Sequence, residues 1–158
     1  MQSDDEYIIL REKAKDKYKL LNSATCPALK EEVYFTSVGF NHLIYKKGNT
    51  ERDRASQAMR FKLLERSHEL ISLTTTYQEY EESENHFTIK KKKSKVKTIK
   101  IVKYWGIIAI LKDRKIKVIL RKVGNGNLHF WSVIPAWITN KSRDSKLIKT
   151  MKGDADMD

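Results

Sequence analysis

The stretch that decides the fold is VILRKVGNGNLHFWSVIP, residues 118–135. Two runs of β-branched, aliphatic and aromatic residues flank Asn125 and Gly126, a dipeptide preferred in type I′ turns because both central residues need a positive φ. A turn centred on this pair predicts an antiparallel hairpin in which Ile119 faces Ser132. The hairpin is the strongest local prediction that the sequence offers.

A third strand precedes this hairpin. Residues 100–112 have the same β character, and Asp113 with Arg114 supplies a turn into the first hairpin strand. Centring both turns predicts that Arg121 lies between Gly106 on one side and Phe130 on the other. We therefore expect a three-stranded antiparallel meander with one residue register throughout.

The predicted register assigns each side chain of the meander to one face of the sheet. One face is almost entirely apolar, and we expect it to pack on helices. It consists of Trp105, Ile107, Ala109, Leu111, Ile116, Val118, Leu120, Trp131 and Val133. The other face mixes charged, polar and apolar residues, namely Tyr104, Gly106, Ile108, Ile110, Lys117, Ile119, Arg121, Phe130 and Ser132.

The N-terminal half carries the helical patterns. Apolar residues spaced near i+3 and i+4 predict helices over 7–22, 38–46 and 50–73, the last beginning at a Thr50 cap. A short β-prone triplet, 33–35, precedes the second helix. The predicted fold class is α+β, with N-terminal helices packed on one face of a C-terminal antiparallel sheet.

The chain has 158 residues, a length suited to a single domain. We expect residues 1–30 to form an N-terminal helical extension, 31–140 the α+β domain, and 141–158 a polar C-terminal tail. Lys and Arg number 32 against 20 Asp and Glu, which gives a net charge of +12. This excess favours a polyanionic partner, with nucleic acid ahead of an anionic membrane.

Several other functions lack their sequence signals. Cys26 is the only cysteine, so no disulfide within the chain is expected, and residues 105–111, the longest uncharged apolar stretch, are too short to span a membrane. The acidic N-terminus lacks the positive charge of a signal peptide, so we expect a cytoplasmic protein. No P-loop, GxSxG or HExxH motif and no zinc-ligand spacing occurs, so neither a metal nor another cofactor is expected.

Four residues are candidates for catalysis. His42 and Lys46 are four apart on the predicted second helix, where an exposed imidazole can transfer a proton and an ammonium can neutralise a phosphate. Arg121 presents a planar donor fork suited to a phosphate, and Ser132 shares its predicted face. The alternatives are an incidental surface histidine and an arginine that is merely solvated.

Further basic residues are candidates for binding nucleic acid. They are Lys90, Lys91, Lys92, Lys93, Lys117 and His129. The lysine run is either a track for phosphates or a solvated hairpin edge that lysines protect from aggregation. The predicted register turns His129 away from Arg121 unless a β-bulge shifts it.

Two segments together resemble a known group of enzymes. FTSVGFNHLIYK, residues 35–46, and the hairpin VILRKVGNGNLHFWSVIP resemble the barnase, EndoU, colicin and RelE group of metal-independent nucleases, most closely its phage-encoded branch. The resemblance spans about residues 33–137. It implies a helix-plus-sheet ribonuclease fold, an RNA substrate, and a neutralising partner such as an antitoxin or an immunity protein.

The resemblance also implies roles for individual residues. A GxxHxxxK pattern falls on Gly39, His42 and Lys46, and the closing-strand patterns fall on Arg121 and Ser132. No glutamate stands on the predicted active face, so His42 would accept the proton. The first hypothesis is therefore a metal-independent endoribonuclease, a toxin or phage effector, that cleaves through the RNA 2′-hydroxyl. The alternative is a basic nucleic-acid-binding module without catalysis.

Overall fold

The computed structural model describes residues 3–46, 49–91, 94–111, 114–135 and 149–150. These residues include four helices: α1 (Asp4–Leu21), α2 (Ser37–Ile44), α3 (Arg54–Lys62) and α4 (Leu64–Leu73). The strands of the first half are β1 (Ser23–Cys26), β2 (Glu31–Tyr34), β3 (Tyr45–Lys46) and β4 (Thr50–Glu51). Those of the second half are β5 (Glu79–Lys91), β6 (Ser94–Leu111), β7 (Arg114–Val123), β8 (His129–Ile134) and β9 (Lys149–Thr150).

One mostly antiparallel sheet carries the fold. Its strand order is β1-β2-β8-β7-β6-β5-β9, and of the pairs between described strands only β2–β8 and β5–β9 are parallel. The helices pack on one face, where their apolar side chains join those of Val118, Leu120 and Phe130 in the main core. The α+β class with N-terminal helices and a C-terminal sheet is confirmed. No helix in the described part of the chain is long and apolar enough to cross a membrane.

The third predicted helix is two helices. Thr50 lies in β4, paired with Lys46, and the residue that caps α3 is Asp53, whose carboxylate accepts from the Ser56 amide at 2.7 Å. Leu63 interrupts the helical backbone with φ −98° and ψ 3°. The prediction of one continuous helix with a Thr50 cap was wrong. Thr50 pairs with β3 and so cannot begin a helix, and the non-helical backbone at Leu63 separates α3 from α4.

The first thirty residues contribute to the main core. Ala14 and Tyr18 of α1 and Cys26 of β1 are buried in it, and β1 pairs with β2 along its length. The Tyr18 hydroxyl donates to the carbonyl of Thr36 at 2.6 Å, which ties α1 to the start of α2. The C-terminal tail expected at 141–158 lies outside the described residues except for β9.

The meander forms with two differences in register. β7 is displaced by two residues along β6, so Arg121 pairs with Tyr104 and not with Gly106. Ile119 pairs with Ser132 as predicted, but a β-bulge follows, and Arg121 then faces His129 where Phe130 was expected. The turn itself also differs, because Gly124 has a positive φ of 53° while Asn125 and Gly126 have none, and the Gly126 amide donates to the Val123 carbonyl at 2.9 Å. The predicted type I′ turn centred on Asn125 and Gly126 was therefore wrong.

The bulge exchanges the faces of two aromatic residues. Phe130 joins the main core under the helices, whereas Trp131 packs with Tyr104 and Ile119 on the other face of the sheet. The predicted faces of Phe130 and Trp131 were therefore wrong. Val133 returns to the main core, so the bulge changes the alternation only locally.

Helix α2 approaches β8 unusually closely. A Cβ atom built on Gly39 would lie 2.3 Å from the Phe130 carbonyl oxygen and 2.7 Å from the Tyr18 hydroxyl. Only glycine fits there, because any side chain would overlap backbone atoms. This contact brings the C-terminal turn of α2 to Trp131.

Candidate active site

Trp131 joins α2 to β7 on the sheet face opposite the main core. The His42 ring stacks on the indole with centroids 4.0 Å apart and planes 19° apart, and the Arg121 guanidinium carbon lies 4.2 Å from the indole centroid. Two planar groups this close to one ring centre occupy opposite faces of the ring. The structure therefore brings together His42 and Arg121, two of the predicted catalytic residues, with an aromatic ring between them.

His42 is buried, with 6% of its surface exposed, which contradicts the predicted exposed imidazole. Arg52 Nε donates to the His42 carbonyl at 3.0 Å, and Arg52 Nη2 lies 3.2 Å from His42 Nε2. Because guanidinium nitrogens only donate, Nε2 must be the acceptor, and the neutral ring carries its proton on Nδ1.

The surroundings of His42 keep the ring neutral. Burial, and after it the positive charges of Arg52, Arg60 and Arg121, together lower its pKa to about 3. With the Nε2 lone pair bound by Arg52, His42 is poorly suited to accept a proton from a substrate. Its contacts suit it to holding Arg52 and Trp131 in place.

Arg52 and Arg60 reach the site from the α3 region. Gln57 is fully buried and donates to the Arg52 carbonyl at 2.7 Å, which fixes the chain just before α3. Arg60 Nη1 donates to Ser132 Oγ at 2.8 Å and to the Val133 carbonyl at 3.0 Å. Ser132 is itself fully buried, so its hydroxyl anchors Arg60 in this conformation instead of facing solvent.

His129 pairs directly with Arg121 across β7 and β8. Its Nδ1 lies 3.2 Å from the carbonyl of Asn127, and because a carbonyl only accepts, Nδ1 carries the proton. Nε2 therefore holds the lone pair. Burial lowers the pKa of His129, and the neighbouring Arg121 charge lowers it further, although the bond to Asn127 opposes the shift.

Arg121 and His129 each carry a buried polar atom that lacks a partner. Among the described residues, neither Arg121 Nε nor His129 Nε2 has a hydrogen-bond partner. Both side chains as a whole are only partly buried. A cationic donor and a neutral acceptor are thus adjacent on paired residues, and buried polar groups left without partners are uncommon in proteins.

Neither Lys46 nor Lys117 is available to a phosphate at this site. Helix α2 ends at Ile44, so Lys46 lies on β3, exposed, and no hydrogen bond or ion pair joins it to the described residues of this site. Lys117 shares the sheet face of Arg121, but it is 1% exposed and its Nζ lies 3.4 Å from Glu79 Oε2. A buried, ion-paired lysine is not available to a phosphate in this conformation.

The lysine run falls at the far end of β5. The backbones of Lys90 and Lys91 pair with Lys95 and Ser94 of β6. Lys92 and Lys93 lie outside the described residues. The described part of the run, Lys90 and Lys91, is therefore remote from Arg121 along the sheet.

Among the described residues, no group of three or more His, Cys, Asp or Glu side chains is placed to hold a metal ion. No protein-family model, curated protein or solved structure matches this chain. The likeness to metal-independent nucleases thus stays a prediction from two segments. What supports a function is the geometry around Trp131.

Sequence reasoning missed Arg52, Arg60 and the position of Trp131. A signal for Arg60 existed, because Gln57, Arg60 and Ser67 occupy the same helical spacing as the buried Phe61 and Leu64. Polar residues at core-facing positions of a helix require buried partners. The partner of Arg60, Ser132, is far away in sequence, so only the folded chain identifies it.

Proposed function

We propose that this protein is a metal-independent endoribonuclease whose active site is the Arg121–His129 pair. The observation that carries the proposal is the pair of unpartnered atoms, one cationic donor and one neutral acceptor, on directly opposed residues. A phosphodiester of RNA offers the complementary groups: an anionic oxygen that accepts and a 2′-hydroxyl that donates. DNA lacks that hydroxyl, so the acceptor on His129 favours RNA.

The proposed reaction is an attack by the RNA on its own phosphate. His129 Nε2 takes the 2′-hydroxyl proton, the 2′-oxygen bonds to phosphorus, and the bond from phosphorus to the 5′-oxygen breaks. The departing 5′-oxygen takes a proton from the protonated His129. Arg121 stabilises the charge that develops on the phosphoryl oxygens. The products are a 2′,3′-cyclic phosphate and a 5′-hydroxyl.

The remaining residues of the site support this pair. His42, stacked on Trp131, holds the ring against which Arg121 lies, and Arg52 fixes His42. His129 Nε2 and Arg121 Nε are buried in this conformation. The Arg121 side chain must therefore rotate before the substrate can reach them. The proposed setting is the cytoplasm, where a neutralising protein would protect the producing cell from its own ribonuclease.

The test is cleavage of a synthetic RNA by purified protein in EDTA. We expect cyclic-phosphate and 5′-hydroxyl ends, and no cleavage at a position whose nucleotide is 2′-deoxy. His129→Gln and Arg121→Gln should each lower the cleavage rate by about 10² or more. Lys15→Gln is the control, because Lys15 is exposed on α1 and outside the site.

Three outcomes would overturn the proposal. They are cleavage of DNA, a requirement for added magnesium, and folded wild-type protein that cleaves no RNA. A fourth result, loss of activity in Lys15→Gln equal to that in His129→Gln, would remove His129 from the mechanism.

Binding without catalysis is the second candidate, and the exposed lysines of β6 favour it. Lys95 and Lys97 are exposed near the start of that strand, away from Trp131. A binding module should lose affinity in steps as each cation is removed, because each phosphate contact releases counterions. A catalytic site should instead lose rate with His129→Gln while affinity stays nearly constant.

A further inference from the structure

Strands β5 and β6 continue well beyond the rest of the sheet. β7 pairs with β6 only over residues 102–111, so residues 84–91 and 94–101 form a two-stranded extension of eight residue pairs. At roughly 3.3 Å per residue this extension, the ribbon, is about 26 Å long. β9 pairs with β5 only at Glu79 and Tyr80, so it does not reach the ribbon.

The ribbon gathers like charges at its tip. Lys95 and Lys97 are exposed, and the register places Lys90 directly opposite Lys95. The exposed ammonium groups of Lys95 and Lys97 suit a polyanion whose phosphates would neutralise them.

Cations occupy both faces of the ribbon. Alternation along β6 puts Lys95 and Lys97 on one face and Lys100 on the other, the face that Arg121 shares. Lys100 lies beside the turn at Gly124 and has its Nζ 5.9 Å from the Phe87 ring centre. The groove of a double helix presents a phosphate backbone on each side, which suits a ribbon that carries cations on both faces.

The ribbon offers little to unpaired bases. Phe87 is the only Phe, Tyr or Trp among the described side chains of the ribbon, and it packs against the cluster of Val102 and Tyr104. Proteins that hold single strands combine cations with aromatic rings on which bases stack. Contacts to phosphates alone suit a helix recognised by its shape.

We infer that the ribbon holds a double-helical segment of RNA beside the nucleotide that is cleaved. Lys95 is nine residues along β6 from Tyr104, the partner of Arg121, which places the tip about 30 Å from the proposed active site. An open groove of about 570 Å³ lies between, lined by Ile99, Lys100, Ile101 and Lys103 and by the turn 124–126. The inference rests on the proposed function for RNA as the substrate class, and it adds that the substrate contains a double-helical segment.

The test compares binding of three probes by lysine variants. The probes are an RNA hairpin, an unpaired RNA of equal length, and a DNA hairpin of the same sequence. All proteins carry His129→Gln so that no probe is cut. The test variant is Lys95→Gln/Lys97→Gln, and the matched control is Lys13→Gln/Lys15→Gln, which removes two exposed charges from α1.

The test variant should bind the RNA hairpin about 60-fold more weakly at about 0.1 M salt. Each lost contact to a duplex phosphate reduces the slope of log affinity against log salt concentration by about 0.9, and the variant loses two such contacts. The control should bind like the parent protein. Equal losses in both variants, equal affinity for unpaired RNA, or tighter binding of the DNA hairpin would overturn the inference. Binding as expected in a wild type that cleaves nothing would refute the ribonuclease proposal and leave the ribbon's role intact.

Discussion

The buried His42 makes folding stability depend on pH in a defined direction. Its pKa is about 3 in the folded protein against 6.5 for an unperturbed histidine. The folded state therefore resists protonation that the unfolded state accepts. The contribution of His42 to stability is fully present above about pH 6.5 and is lost progressively as pH falls towards 3.

The size of this effect follows from the same two values. One pKa unit corresponds to about 1.4 kcal/mol, so the loss amounts to about 5 kcal/mol over the whole interval. Between about pH 6.5 and 4.5 the loss due to His42 is about 2 kcal/mol. His42 is 6% exposed, so solvent screening reduces this figure little.

The perturbation is His42→Gln, which removes the titrating group but keeps an acceptor for Arg52. The assay is urea unfolding of both proteins at several values of pH in this interval. Wild type should lose about 2 kcal/mol more than the variant on going from about pH 6.5 to 4.5. His129 contributes to the pH dependence of stability in both proteins, so its contribution cancels in the difference between them.

A second measurement does not depend on the variant. The ring protons of His42 in the wild-type NMR spectrum should not titrate above about pH 4.5. Two results would refute the claim that burial and neighbouring charges lower the pKa of His42. One is a pair of parallel stability curves for the two proteins, and the other is a His42 ring that titrates near its unperturbed pKa. Either result would also reopen His42 as a proton acceptor.

Two further predictions concern packing around β8. Gly39→Ala should destabilise the fold by about 1–3 kcal/mol or more in urea unfolding, because its Cβ would lie 2.3 Å from the Phe130 carbonyl oxygen. The control is Val38→Ala, at an exposed site on the same helix. Equal stability of the two variants would show that α2 does not contact β8 this closely. Ser132→Ala should cost about 1–3 kcal/mol in the same assay, since Arg60 Nη1 loses a buried acceptor at 2.8 Å. Ser37→Ala, at an exposed position, should change stability by less than about 0.5 kcal/mol, and a Ser132→Ala variant as stable as this control would contradict the anchoring of Arg60.

The sequence alone determined the elements that local chemistry specifies. The hairpin between β7 and β8 was predicted from the turn residues between its strands, although the positive φ falls on Gly124 and not on Asn125 or Gly126. The helical periodicity of the first half predicted the α+β class. Alternation along each strand also assigned Arg121 correctly to the sheet face opposite the helices. Each of these depends on residues close together in the chain, so the pattern is readable without the fold.

Tertiary structure decided which residues of the candidate site meet. The bulge after Ile119 places His129 opposite Arg121, in a strand that also contacts α2 at Gly39 and pairs with β2. The burial of His42 against Trp131 requires contacts between residues almost ninety positions apart, which no local pattern encodes. The protonation of a buried ring follows from the charges that the fold collects around it, so the chemistry of His42 and His129 could be derived only from the folded chain.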